Sequence, residues 1–234
     1  MIHISLQEES AVRPLSFYLA MEEYVARQQL PDDAFFLWQV EPSVIYGRNQ
    51  VVEHEVNMEY CREHGIQVFR RKSGGGCVYA DRDNLMLSFV TKEEQVGFAF
   101  NRFVNMLLLV LRKMGVEASG TRHNDILIDD RKVCGTACRK TPYGCIVHST
   151  MLYDTNMENM LQAITPSHEK LAKNGVESVR QRITLLKDYT SLTLEEIKAL
   201  IVTTLCDSEQ VLTATDVAAI EQLENSQSSI IKRK

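Results

Sequence analysis

Three consecutive glycines, Gly74-Gly75-Gly76, standing behind Arg70-Arg71-Lys72-Ser73, constrain this chain more than any other feature. Glycine admits positive φ and close backbone approach, so successive N–H groups can converge on an anion, while arginine adds forked, permanently charged donors. The run lies between apolar, strand-like stretches at 66–69 and 77–79, which predicts a strand, a cradle and a second strand. A Walker loop does not fit, because no G-x-x-x-x-G-K-[ST] pattern is present. A Rossmann fingerprint does not fit either, because no helical pattern opens after the glycines.

With 234 residues, 44% apolar and 24% charged, the chain can bury one substantial core with room for a small appended unit. A formal net charge of −5 argues against a general nucleic-acid binder and makes any cation cluster a local one. The longest apolar run, 106–111, falls far short of the ~20 residues that span a bilayer. The first residues lack a basic segment followed by an apolar one, so a cytoplasmic location is the default expectation. Six cysteines without regular spacing fit reduced thiols better than a disulfide framework.

Leu15, Tyr18, Leu19, Glu22 and Val25 follow helical spacing and predict a first helix that closes before Pro31. Residues 35–40 and 43–46 read as successive strands separated by Glu41-Pro42, and 57–64 as a helix ending at Gly65. A strand is expected at 85–90. The strongest helical pattern runs over 93–114, with Gly115 as its stop. Short strands are expected at 126–128 and 132–134, joined by the turn Asp129-Asp130-Arg131, and a further strand at 145–153. Helices follow at 157–164, 167–174, 195–205 and 214–223, the last two capped by Thr193 and Thr213. Strands in the middle and helices at the end predict an α+β fold, a mixed and mostly antiparallel sheet covered by helices. The expected division is a catalytic domain over 1–190, then C-terminal helices and a polar tail over 191–234, without a full accessory domain.

Polar clusters fall at loops or strand ends: the glycine loop, Arg122-His123-Asn124-Asp125, Lys132 and Cys145-Ile146-Val147-His148. Activating a carboxylate with a nucleotide needs cations, backbone donors for oxyanions and a carboxylate or amide near the metal or nucleotide. All are present. Lys132, beside the small residues Gly135, Thr136 and Ala137, is either a point charge for a carboxyl or phosphate or a solvated hairpin lysine. Cys145 is either a thiolate activated by His148 or Lys132, or a small buried apolar residue. In a regular strand, positions 145 and 148 face opposite sides, so a direct dyad needs a bulge. Pairs Cys61/His64 and Cys145/His148 have no tight C-x-x-C partner and argue weakly for zinc. Trp38, Val44, Tyr46, Val78 and Tyr79 are candidates for an apolar slot or simply for core. Burying an acyl chain yields ~0.8 kcal/mol per CH₂, enough to discriminate length.

The loop 70–76 with Val78-Tyr79 and Asp81 resembles the signature of the lipoate-protein ligase A family. Tyr46-Gly47-Arg48-Asn49-Gln50 resembles its G-R-x-Q turn, Arg122-His123-Asn124-Asp125 its G-R-N-D segment, and Lys132-Val133-Cys134-Gly135-Thr136-Ala137 its K-x-S-G-x-A motif. Residues 178–184 resemble its late S-V-R-S-R-V-T stretch, so the likeness runs in order over 15–186. It implies the fold shared by biotin ligases, lipoate ligases and lipoyl-octanoyl transferases. It also implies ATP, magnesium and lipoate as reactants. The implied acceptors are lysines of lipoyl domains in 2-oxoacid dehydrogenase complexes or of the glycine-cleavage H protein, with an accessory subunit as an added partner, and neither nucleic acid nor membrane. By that resemblance Arg71, Gly75 and Gly76 border an acyl-adenylate, Lys132 holds its carboxyl-phosphate linkage, and Asn124 and Asp125 face nucleotide and magnesium. Arg48, Arg70, Ser73, Gly74, Tyr79, Gly135, Thr136, Ala137 and His148 complete the implied binding set.

Cys134 replaces the usual serine of the K-x-S-G motif, and Ser149 stands where the family has glycine. Gly144-Cys145-Ile146-Val147-His148 resembles the G-C-S-F-H segment of octanoyltransferases, whose cysteine carries the acyl group as a thioester. The leading expectation is an ATP-dependent ligase. The alternatives are an ATP-independent transferase using Cys145 and a non-catalytic lipoyl-adenylate binder; biotin ligation ranks lower, since no partner set for the ureido ring can be picked out.

Overall fold

The computed structural model describes residues 1–7, 12–121, 125–164 and 182–231. The helix expected at 167–174, the part of the late stretch at 178–181, and Arg122, His123 and Asn124 lie outside them.

The chain begins with β1 (Ile2–Leu6) and α1 (Leu15–Gln28), followed by β2 (Ala34–Trp38) and β3 (Ser43–Tyr46). Short helices α2 (Val52–Glu55) and α3 (Met58–Glu63) lead to β4 (Gln67–Arg70), and the glycine loop joins it to β5 (Val78–Ala80). Strand β6 (Asn84–Thr91) and helix α4 (Val96–Lys113) come next, then β7 (Ser119–Gly120), β8 (Asp125–Ile128), β9 (Arg131–Thr141) and β10 (Gly144–Leu152). Helix α5 (Met157–Ala163), a 3₁₀ turn (Leu186–Asp188), helix α6 (Leu194–Leu205), strand β11 (Ser208–Leu212) and helix α7 (Ala214–Ile231) complete the described elements.

Eight strands form one sheet in the order β11-β1-β2-β6-β10-β9-β8-β7, and β4-β3-β5 form a second, smaller one. Pairing from β2 to β7 is antiparallel; β1 runs parallel to both its neighbours, and β3 pairs parallel with β4 and antiparallel with β5. The expected α+β architecture with a mixed, mostly antiparallel sheet is therefore present. The two strands flanking Glu41-Pro42 belong to different sheets, so the proline marks the crossing from one to the other.

Strand periodicity sorts the main sheet into two faces. Leu85, Leu87 and Phe89 of β6 and Cys145 and Val147 of β10 join Phe103, Leu107 and Leu111 of α4 and Ile197 and Ile201 of α6. Met86 and Val90 of β6 and Ile146 of β10 face Leu15, Phe17, Met21 and Val25 of α1 and Ile220 of α7. Every residue of β6 is buried, as expected of a central strand covered on both sides.

Helix boundaries follow their chemistry. Thr193 and Glu196 make a reciprocal capping box, and Thr213 accepts the Asp216 N–H at 3.3 Å. Asn57 caps α3 through the Tyr60 N–H at 3.1 Å, and Gly115 leaves α4 at φ 77°. Asp129 and Asp130 both adopt positive φ, giving the tight turn between β8 and β9 the twist a two-residue hairpin requires. Strand β9 is longer than the sequence pattern predicts. Strands β1 and β11 carry no such prediction at all, although they pair over five residues across most of the chain. Residues from Leu194 onward thus share the sheet and core with the N-terminal half.

Candidate functional site

The glycine loop is organised from inside by Arg71. Its side chain is buried, and its guanidinium donates to the Ile45 carbonyl at 2.9 Å, the Gly74 carbonyl at 2.8 Å and the Gly76 carbonyl at 2.6 Å. In a trans peptide the C=O and the following N–H point to opposite sides. Turning the Gly74 and Gly76 carbonyls toward Arg71 therefore turns the N–H groups of Gly75 and Cys77 away from it. Gly75 takes φ +93°, and the β3 turn packs so close that a Cβ on Gly47 would stand 2.2 Å from the Gly75 carbonyl oxygen. Two glycines are thus fixed by conformation and by contact. Burial lowers the Arg71 pKa, with no carboxylate within salt-bridge distance among the described residues, so the loop holds an uncompensated positive charge.

A bulge sets Lys132. Ile126 pairs with Cys134 whereas Leu127 pairs with Lys132, leaving Val133 as the extra residue. Val133 and Cys134 both enter the apolar core, while Lys132 and Gly135 line the same cavities. Without the bulge, residues three apart would face opposite sides of the sheet. The Lys132 amine lies 2.8 Å from Asp125 Oδ1, and a Cβ on Gly135 would come within 2.7 Å of that amine. The returning chain locks this segment: Lys132 N–H donates to the Arg182 carbonyl at 2.7 Å, and Thr184 N–H donates to the Lys132 carbonyl at 2.9 Å.

Two cavities meet at Lys132. One, of about 250 Å³, has apolar walls at Leu19, Trp38, Ile45 and Met86 and polar ones at Arg71, Gly75, Gly76, Asp125 and His148. Thr136 and Ala137 also line it. The second, of about 190 Å³, is bounded by Tyr79, Leu152, Met160, Leu161, Ile164 and Ile183. Both share Cys77, Val78, Lys132, Gly135 and Thr150.

A buried polar chain runs behind the first cavity. Trp38 Nε1 donates to Ser88 Oγ at 2.9 Å, and Ser88 Oγ donates to Glu22 Oε1 at 2.7 Å. That same oxygen lies 3.1 Å from His148 Nδ1, and His148 Nε2 meets Ser73 Oγ at 2.9 Å. Glu22 is only 3% exposed. A carboxylate so buried persists because its acceptors are filled, and breaking the chain would leave a buried polar group unpaired.

Lys132, Asp125, Arg71, Gly75, Gly76, Gly135, Thr136, Ala137 and His148 converge on the cavities as the sequence suggested, with Tyr79 in the second. Ser73 and Gly74 stand behind the wall: Ser73 bonds His148, and the Gly74 carbonyl bonds Arg71. Arg48 and Arg70 are exposed; Arg48 N–H donates to the Ser73 carbonyl at 3.0 Å, and Arg70 stacks over Tyr46 at 5.9 Å. Asn124 lies outside the described residues. Of the apolar-slot candidates, Trp38, Val78 and Tyr79 line a cavity, whereas Val44 and Tyr46 line neither.

Cys145 lines neither cavity. Register along β10 is continuous on both sides, so Cys145 and His148 face opposite sides, and Cys145 is buried in the core under α4, beside Cys138. Burial raises its pKa, which opposes thiolate formation. Asp81 is likewise a structural anchor, accepting the Asp83 N–H at 3.1 Å and the Asn156 N–H at 3.0 Å. The sequence reading missed Ser88, Leu19, Ile45, Met86 and the α5 residues of the second cavity. It also missed the role of Glu22, whose signal was an acid at a core-facing position of the α1 stripe.

The mixed sheet thus brings a glycine cradle, a bulge-presented lysine and paired cavities to one place. The family model described as the lipoyl protein ligase A/B catalytic domain matches residues 14–206, and the chain belongs to that family. Relatives include the lipoate-protein ligase LplJ of Bacillus subtilis, 35% identical over 185 residues covering 77% of this chain and 56% of that protein. Lipoate–protein ligase 1 of Staphylococcus aureus is 34% identical over 215 residues, covering 88% of this chain and 66% of its own length. The chain thus spans between just over half and two thirds of these relatives. The fold is shared with a chain from the structural analysis of an archaeal lipoylation system, a bipartite lipoate protein ligase and its E2 lipoyl domain from Thermoplasma acidophilum, at TM-score 0.82 and 24% identity over 96% of this chain and 91% of that one. A lipoate-protein ligase A bound with ATP superposes at TM-score 0.80 with 23% identity, covering 96% and 94%. Among the described residues no helix is long and apolar enough to cross a membrane.

Proposed function

We propose that this chain is the catalytic unit of a lipoate-protein ligase that activates lipoate with ATP and transfers the lipoyl group to a lysine of an acceptor protein. The observation that carries this reading is the position of Lys132, whose amine stands where two cavities of different character join. The cavity ending at Leu19, Trp38 and Met86 suits an acyl chain, and the smaller, more apolar one beyond Val78 and Tyr79 suits an adenine. In the first step a lipoate carboxylate oxygen bonds the α-phosphorus of ATP, and pyrophosphate leaves. Negative charge builds on the α-phosphoryl oxygens and on the departing pyrophosphate as the carboxylate oxygen gives up its own. The Lys132 ammonium, the Arg71 charge and the N–H groups of Gly75 and Cys77 are the donors preorganised to meet it. In the second step a neutral acceptor lysine attacks the acyl carbonyl, the amide forms, the carbon-oxygen bond to phosphate breaks and AMP departs with the proton lost from the amine.

Asp125 is the described carboxylate that fits magnesium, which takes oxygen ligands from one or two carboxylates and from substrate phosphates. Among the described residues no group of three or more His, Cys, Asp or Glu is placed to hold a metal ion. The site residues assigned on sequence keep their roles in this reading, except that Cys145 carries no acyl group. Its place across the sheet speaks against the thioester transferase, and a lysine amine at the junction of two cavities favours catalysis over a purely binding role. Residues 1–190 would carry the catalytic machinery and 191–234 its C-terminal support. Lipoyl domains of 2-oxoacid dehydrogenase complexes and the glycine-cleavage H protein are the proposed acceptors. An accessory subunit is a further proposed partner.

The test is the intact mass of a purified lipoyl domain after incubation with this protein, lipoate and magnesium. A lipoyl mass increment that requires ATP is expected. An increment obtained without ATP from an acyl-carrier donor, and abolished by Cys145→Ser, would overturn the reading.

A further inference from the structure

Three cations from three different elements converge on one carboxylate beside the glycine loop. Glu23 of α1 lies 2.5 Å from Arg27 on the same helix, 2.6 Å from Lys72 in the loop and 3.5 Å from Arg139 on β9. Burial pushes the Glu23 carboxyl up, yet its Lys72 and Arg27 contacts outweigh this and leave its pKa lowered. Glu23 is therefore ionised, and the cluster keeps an excess of two positive charges. Arg27 and Lys72 remain about half exposed, so that excess faces solvent.

Its position ties it to the site. Along β9, Gly135 and Ala137 line the lipoate-sized cavity, and Arg139 follows on the same face. Lys72 sits between Arg71 and Ser73 of the cradle. The protein as a whole carries a formal charge of −5, so an acidic partner is repelled at long range and drawn in where a local rim such as this one offers the opposite sign. Any acceptor must bring its lysine to the neighbouring cavity.

We propose that Arg27, Lys72 and Arg139 form a docking rim for an acidic surface flanking the target lysine of the acceptor protein. The inference rests on the ligase reading and adds how that partner is recognised. Charges at a rim act on encounter and orientation more than on the chemical step. The rim should therefore govern the KM for acceptor protein and leave adenylate formation alone.

The experiment compares wild-type protein with the Arg27→Glu/Arg139→Glu double variant, using the milder Arg27→Ala/Arg139→Gln pair if the first lowers the thermal midpoint. Acceptor KM is expected to rise about tenfold or more while lipoyl-adenylate formation without acceptor stays within about twofold. Glu23→Gln, which adds to the excess charge, is expected to lower acceptor KM. Added sodium chloride should raise the wild-type KM, and the effect should vanish for an acceptor whose acidic residues beside the lysine are neutralised. An unchanged acceptor KM in the folded variants, or an equal loss of adenylate formation, would overturn the rim. Calorimetric titration of the acceptor domain without ATP reads docking directly. A chain that binds the acceptor through the rim but makes no adenylate would sink the ligase reading alone.

Discussion

The two faces of the main sheet are built from the same strands and serve opposite ends. Under α4 and α6 the inward side chains are almost wholly apolar, with Phe103 stacked near Phe35 and Phe89 at ring separations of 6.4 and 6.0 Å. Beneath α1 the same strands present Ser88, His148 and Trp38, tied through the buried Glu22. One face gains stability from close apolar packing, whereas the other accepts the desolvation of a carboxylate to hold a cavity wall in register. Strand alternation is what permits this: adjacent residues of β10 belong to different tasks, so Val147 packs core while His148 reaches the cradle.

Substitutions on the two faces should separate cleanly. The largest effect on activity is expected from Lys132→Ala, a loss of ~10²- to 10³-fold in adenylate formation with little change in thermal midpoint, followed by pyrophosphate release. Phe103→Ala, in the apolar layer, should cost ~3–5 kcal/mol in denaturant unfolding, while the remaining folded protein retains its KM values. A loss of stability from the first, or of catalysis alone from the second, would break the division between faces. Cys145→Ser sharpens it, because it inserts a hydroxyl into the apolar layer: stability should fall by ~1–3 kcal/mol with turnover per folded molecule unchanged.

The smallest effect is one of pH. The Met1 α-ammonium, bound to Asp207 at 2.7 Å and Asp32 at 2.8 Å, has its pKa raised to about 10, chiefly by hydrogen bonds to those two carboxylates. A group whose pKa is higher in the folded than in the unfolded state contributes fully below the unfolded value near 8 and loses its contribution as pH rises through about 10. The thermal midpoint should decline modestly over that window. Because both aspartates are largely exposed, high salt should flatten the decline. An undiminished midpoint at pH 10 would remove this tie between β1 and the turn before β11.

Much was readable in the residues themselves. Caps at Thr193 and Thr213, the stop at Gly115 and the helical stripe of α4 are local signals, because hydrogen bonds and side-chain spacing within a few residues decide them. The glycine loop and its flanking strands were equally plain, since no residue with a Cβ could replace Gly47 or Gly75 without a backbone clash or a strained φ. Ordered motifs from Tyr46 to Ala137 identified the family because each calls for particular side-chain chemistry.

Other features depended on pairing between distant parts of the chain. Strands β1 and β11 are short and mostly polar at β11, and only their mutual register, Ile2 with Ser208 through Leu6 with Leu212, makes them a sheet edge. Alternation showed that Cys145 and His148 part company, yet not which of them meets the cavity; α1 and α4 docking on opposite faces decided that. The bulge at Val133 is likewise invisible in sequence, and it alone turns Lys132 onto the face of Gly135 and Asp125. The sequence by itself determined the cradle, the long helix α4 and the family, since these rest on local chemistry. Only the tertiary structure decided which side chains share a cavity, because face and register are set by long-range packing rather than by neighbours along the chain.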